Sequence, residues 1–189
     1  SFSEMENEDS HKDRDGLGFH IPGMFDKVLD INFCWLQNDI SNKIRLSVKD
    51  FCKQNNYSFF NLRLQEGLMR NLIIRTSSSG EIMVIVVFFR EEPENIRLLL
   101  THIGNQFPEI TSLLYVINEK ANDTIGDQVI HTFKGSDCIY ESMEDLRFKI
   151  GPKSFFQTNS MQAYELYKIA RSFAGLKGDE LVYDLYTGT

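Results

Sequence analysis

Leu68-Met69-Arg70-Asn71-Leu72-Ile73-Ile74-Arg75-Thr76, Ser77-Ser78-Ser79-Gly80 and Glu81-Ile82-Met83-Val84-Ile85-Val86-Val87-Phe88-Phe89 follow one another without a break. Two apolar, β-branched runs flank a small polar turn ending in glycine, the pattern of an antiparallel hairpin. On its C-terminal side Glu91-Glu92-Pro93 opens a helix, because proline suits the first helical position and acids suit the positive end. Ile96, Leu99, Leu100 and Ile103 form the buried stripe of that helix, and Ser112–Ile117 is the next strand. On the N-terminal side, Asn38 or Ser41 caps a helix whose apolar face is Ile40, Ile44, Val48 and Phe51. Before it stand two short strands, Leu17–Ile21, ended by Pro22-Gly23, and Val28–Ile31. From Val28 on, the order is β-α-β-β-α-β, the ferredoxin-like split βαβ signature. The expected class is α+β, an antiparallel sheet with helices on one face.

Three further strands are expected, over Val129–Phe133, Asp137–Glu141 and Leu146–Ile150. After Gly151-Pro152 the pattern changes. A helix is predicted from about Met161 to Ala174, with Ala163, Leu166, Tyr167, Ala170 and Phe173 buried and Gly175 and Gly178 marking its end. Leu181-Val182-Tyr183-Asp184-Leu185-Tyr186-Thr187-Gly188-Thr189 reads as an apolar strand running into a glycine turn. Such a strand is how a doubly wound α/β domain meets its ligand, at the carboxyl end of the first strand. A lone first strand has no neighbours, so the chain is expected to be a piece of a longer protein, cut inside a ligand-binding motif. Three parts follow: an acidic tail over 1–16, a central α+β domain over 17–153, and the truncated start of a Rossmann-like domain over 154–189.

Composition bounds the rest. The 189 residues are 42% hydrophobic and 25% charged and include 15 Phe and 7 Tyr, enough for a core without disulfides or metal. The longest apolar run, Ile82–Phe89, is eight residues long, whereas a membrane-spanning helix needs about 20. No transmembrane segment and no signal peptide are expected. Cys34, Cys52 and Cys138 are an odd, widely spaced set, which points to a reducing, cytoplasmic setting. His11, His20, His102 and His131 show no metal spacing. Six acids against Lys12 and Arg14 give residues 1–16 a net charge of −4, leaving −3 of the chain's −7 on the remainder. The first 16 residues hold almost no apolar surface and are expected to be mobile. The remainder carries no strong electrostatic footprint for nucleic acid.

Joined together, Phe148-Lys149-Ile150-Gly151-Pro152-Lys153-Ser154-Phe155-Phe156-Gln157-Thr158-Asn159, a helix, and Val182–Thr189 resemble the RNA (uracil-5-)-methyltransferase family. The resemblance extends more weakly through Leu17–His20, Asp30–Cys34 and Gly67–Arg75. It implies an S-adenosylmethionine-dependent enzyme that makes 5-methyluridine in ribosomal or transfer RNA. Gln157, in the Phe-x-Gln-x-Asn motif, then corresponds to a cofactor-contacting glutamine, whose amide suits a zwitterionic amino-acid end. Tyr186 corresponds to an aromatic of the same cofactor site, and Asp184 and Gly188 shape its turn. Phe155 matches an aromatic beside the target base, where stacking is the physical use for it.

Cys34 matches one ligand of an iron–sulfur cluster in some family members. Four thiolates are the usual requirement, and Cys52 and Cys138 are not at the family spacings, so this chain does not support a cluster. The family's nucleophilic cysteine and general base lie beyond the matched region, and the chain alone is expected to be inactive. From the residues themselves, Arg70, Arg75, Arg147, Lys149 and Lys153, with apolar residues between them, form a candidate phosphate-facing strip for RNA. The rival readings are a non-catalytic RNA- or protein-binding module and an S-adenosylmethionine-dependent enzyme acting on a small molecule.

Overall fold

A computed structural model describes residues 1–4, 15–155 and 157–185. Two short antiparallel ribbons come first, β1 (Phe2–Glu4) with β2 (Asp15–Leu17), and β3 (Phe19–Ile21) with β4 (Met24–Leu29). Helix α1 (Asp39–Gln54) follows, then β5 (Met69–Thr76), β6 (Ile82–Phe88), α2 (Pro93–Gln106), β7 (Ser112–Ile117) and β8 (Ile130–Gly135). An antiparallel hairpin of β9 (Ile139–Met143) and β10 (Leu146–Ile150) precedes α3 (Ser160–Ala174). The architecture is mixed α+β, built from several small sheets and these helices.

The main sheet has the order β5-β6-β7-β8. The hairpin read from the sequence is there, with Thr76 opposite Ile82 and Ile73 opposite Ile85. The ferredoxin-like arrangement is not. The strand around Val28 pairs with β3 outside this sheet, and β6 and β7 are parallel neighbours across α2. The cause lies in β6, buried at every position. A strand apolar on both faces needs a neighbour on each edge and a cover on each face, the usual situation of a parallel strand.

Those covers are distinct. Ile82, Val84, Val86 and Phe88 point toward the helices and pack with Ile44 and Val48 of α1 and Leu99 and Ile103 of α2. Met83, Ile85 and Val87 point the other way, onto Leu114, Val116, Ile139 and Ile150. Helices therefore lie on one face, as read, while the β9–β10 hairpin closes the other. Each such side chain contributes about 1.5–3 kcal/mol on burial.

Three readings need correction. The ends of the acidic tail are ordered: Phe2 pairs with Leu17, both are buried, and the Phe2 ring meets Phe59 edge-on at 4.9 Å. Residues 5–14 lie outside the described residues. In α3 only Ala163 is buried, while Leu166, Tyr167 and Phe173 are exposed, Phe173 at 87%. The apolar periodicity set the helix correctly, but no described element packs on that stripe. Residues 181–185 are irregular and exposed rather than a strand, and no strand among the described residues pairs with them. Phe156 and residues 186–189, with Tyr186 and Gly188, lie outside the described residues.

Candidate functional site

Residues 151–160 join β10 to α3, and side chains from β5 and β9 hold them near both ends. Pro152 sits at the second position of a turn closed by Ser154 N–H donating to the Gly151 carbonyl at 3.2 Å. The Gly151 amide donates in turn to Ser154 Oγ at 3.1 Å. Arg75 reaches this turn from β5, and its Nη1 donates to the carbonyls of Gly151 and Ser154, each at 2.9 Å. Lys153 Nζ donates to the Gln128 carbonyl at 2.7 Å. At the far end Asn159 Oδ1 accepts from the Gln162 amide at 3.0 Å and caps α3. Ser160 Oγ donates to Glu141 Oε2 at 2.7 Å.

Between these anchors Phe155 is 67% exposed and Gln157 is exposed. The Gln157 amide makes no hydrogen bond among the described residues. The segment is thus a tethered arch whose middle offers an aromatic face and an unspent amide. An arch of this kind loses little entropy when it receives a ligand. Asp184 lies exposed in the irregular stretch 181–185.

The basic residues behave differently from the strip read in the sequence. Arg70 is 2% exposed, and its Nη1 donates to the carbonyls of Asn118, at 2.7 Å, and Lys120. Its guanidinium lies 4.5 Å from the Phe60 ring centroid. Arg75 and Lys153 are engaged with backbone carbonyls, and Arg147 lies over the Tyr140 ring at 3.8 Å. Carbonyls in turns, unclaimed by helix or ladder, are the nearest acceptors for such side chains. No exposed strip of Arg70, Arg75 and Lys153 forms.

Arg70 nevertheless keeps two donors. Its Nε and Nη2 have no acceptor among the described residues, and it lines a cavity of about 360 Å³ with His20, Asp26, Phe60, Asn71 and Asp123. Burial lowers the pKa of both Arg70 and Arg75, and both stay charged.

Cys34 is fixed through its backbone: its N–H donates to Asn42 Oδ1 at 2.9 Å and its carbonyl accepts from Asn42 Nδ2 at 3.1 Å. Cys52 and Cys138 are buried, and burial pushes the Cys52 thiol well up, away from thiolate. Among the described residues no three His, Cys, Asp or Glu side chains gather as a metal site. No helix there is long and apolar enough to cross a membrane.

In the sequence Glu141 reads only as the end of a strand and Ser78 only as part of a turn. The signal for Glu141 is an acid on the same strand face as Ile139 and Met143.

No family model matches the chain. An uncharacterized RNA methyltransferase of Bacteroides thetaiotaomicron is 61% identical over 98% of the chain and 42% of that protein. One of Porphyromonas gingivalis is 61% identical over 98% of the chain and 40% of that protein. Among solved structures, the Pyrococcus abyssi tRNA (uracil-54, C5)-methyltransferase in complex with S-adenosyl-L-homocysteine superposes with a TM-score of 0.61 at 26% identity. That match covers 77% of this chain and 35% of the other. The chain spans about two fifths of the length of the curated relatives it matches.

Proposed function

The chain belongs with the RNA (uracil-5-)-methyltransferase family, and from that premise we propose that the protein carrying it methylates C5 of uridine in RNA, with S-adenosylmethionine as donor. The observation that carries the reading is the tethered arch, with Phe155 exposed and the Gln157 amide unspent between fixed ends. S-adenosylmethionine supplies the electrophilic methyl group.

Gln157 donates to the cofactor's carboxylate and accepts from its ammonium, and both contacts fit a free primary amide. Tyr186, Asp184 and Gly188 are assigned to the same cofactor on the resemblance of residues 182–189 to the family motif. Phe155 stacks on the unstacked uracil and holds it for reaction. Arg70 Nε and Nη2, buried and without an acceptor among the described residues, are assigned to an acceptor on the RNA. Arg75 and Lys153 hold the arch rather than the substrate.

Cys52 and Cys138 are buried and are not the nucleophile. The thiolate that attacks C6 and the base that removes the C5 proton are placed in the part of the protein that this chain does not span. The test is to incubate the full-length protein with S-adenosylmethionine and unmodified transfer or ribosomal RNA transcripts. Mass spectrometry of the digested RNA should show 5-methyluridine. Methylation of a small molecule with none in RNA would favour the small-molecule reading, and no transfer at all would favour a non-catalytic module.

A further inference from the structure

Glu141 sits in the middle of β9, 3% exposed, and forms no ion pair among the described residues. Its carboxylate instead collects neutral donors. The Ser78 amide donates to Oε2 at 3.1 Å and the Ser142 amide to Oε1 at 3.0 Å. The hydroxyls of Ser78 and Ser160 donate as well, the latter at 2.7 Å. These groups come from three places: the β5–β6 turn, β9 itself, and the first residue of α3. A carboxylate offers two acceptor oxygens with about four lone-pair sites, where a glutamine amide offers one oxygen. The site therefore uses the charged form, although burial without a cation opposes it. Burial alone would raise the carboxyl's pKa, but the hydrogen bonds from Ser78, Ser160 and Ser142 hold it below the usual glutamate range.

The same end of the hairpin carries further ties. Ser79 Oγ donates to the Tyr140 carbonyl at 2.9 Å, and the Tyr140 amide donates to Glu81 Oε2 at 2.9 Å. Arg75, three residues before Ser78, holds Gly151 and Ser154. The arch from 151 to 160 thus has both anchors rooted in one rigid hairpin, Arg75 at its start and Glu141, through Ser78, at its end.

We propose that Glu141 is a positioning residue for the cofactor site: its carboxylate ties Ser160 to the β5–β6 turn and so sets the direction in which Gln157 leaves the arch. The role rests on the functional reading above. Glu141 touches no ligand and acts through Gln157. The same geometry makes Ser78 and Ser160 its partners in that role.

The experiment uses the full-length protein and calorimetric titration with S-adenosylmethionine. Glu141→Gln should weaken binding several-fold to about a hundredfold, and by no more than Gln157→Ala does, because it misplaces that same contact. The double variant Glu141→Gln/Gln157→Ala should bind no more weakly than Gln157→Ala alone, because both changes remove the same contact. Independent losses that multiply, or an unchanged affinity in Glu141→Gln, overturn the proposal. If Glu141→Gln fails to fold, Ser160→Ala replaces it in the same cycle, with a smaller loss and the same non-additivity expected.

Amide hydrogen exchange without cofactor separates the two layers of the argument. Exchange at 157–162 should accelerate in Glu141→Gln while α1 is unchanged. Unaltered exchange there overturns the anchoring itself. A wild-type protein that binds no S-adenosylmethionine refutes the functional reading and the cofactor role with it, whatever the exchange shows.

Discussion

One residue separates Gln157 from Asn159, and the structure gives helix capping to the second. Asn159 Oδ1 accepts from the Gln162 amide, while Gln157 leaves its amide free. This division makes opposite predictions for two neighbouring substitutions. Gln157→Ala in the full-length protein should leave the unfolding midpoint nearly unchanged. It should weaken S-adenosylmethionine binding by a several-fold to hundredfold factor, since a hydrogen bond to a charged group contributes about 1.5–3 kcal/mol and a neutral one about 0.5–1.5. Asn159→Ala should lower stability by about 0.5–2 kcal/mol, the usual loss at a cap, as read by urea denaturation. A stability loss in Gln157→Ala with unchanged affinity would return Gln157 to a structural part. The motif could be read from sequence at this scale, but the capping assignment needed the backbone.

Between elements, the links that matter join segments far apart in the chain. Arg75 on β5 meets carbonyls in the turn after β10, and nothing in the spacing of the two stretches announces it. The sequence marks Arg75 only as a cation in a strand, so it reads as part of a phosphate-facing strip. Arg75→Met keeps most of the apolar stem and removes the donors. It should cost about 1.5–3 kcal/mol, the value of hydrogen bonds to a charged group, as measured by chemical denaturation.

The α1–α2 contact supplies a pH test. His102 stacks on Phe51 at 4.4 Å and shares a 2.9 Å hydrogen bond with Ser47 Oγ. Burial lowers its pKa below the ordinary 6.5. The unfolded chain therefore takes up the proton first as pH falls, and the fold loses stability from about 6.5 downward. His102→Gln should show a smaller drop in denaturation midpoint between pH 7.5 and 5.5 than wild type, and an equal drop would remove His102 as the cause.

Across the whole molecule, burial is concentrated in the two faces of β6 and fades toward α3 and the stretch after it. Amide exchange should follow, slowest in β6 and β7 and fastest over 175–185, and strong protection in that last stretch would contradict the exposure seen there. Element types were largely legible: β10 falls at Leu146–Ile150 as read, and the stripe Ile96, Leu99, Leu100, Ile103 is buried. Partners were not. Periodicity tells a strand which face is apolar, not which strand lies beside it, so from sequence β4 reads as part of a sheet it does not join. The grip of Arg75 on Gly151 has a last consequence, in the order of synthesis. The two residues are separated by 76 positions, which a ribosome adding roughly 5–20 residues per second covers in about 4–15 s. Throughout that interval the nascent chain can assemble the β5–β6–β7 core while its guanidinium has nothing to hold. A polypeptide interrupted before Gly151 would own a finished scaffold and no arch, so the site is among the last parts of this structure to come into being.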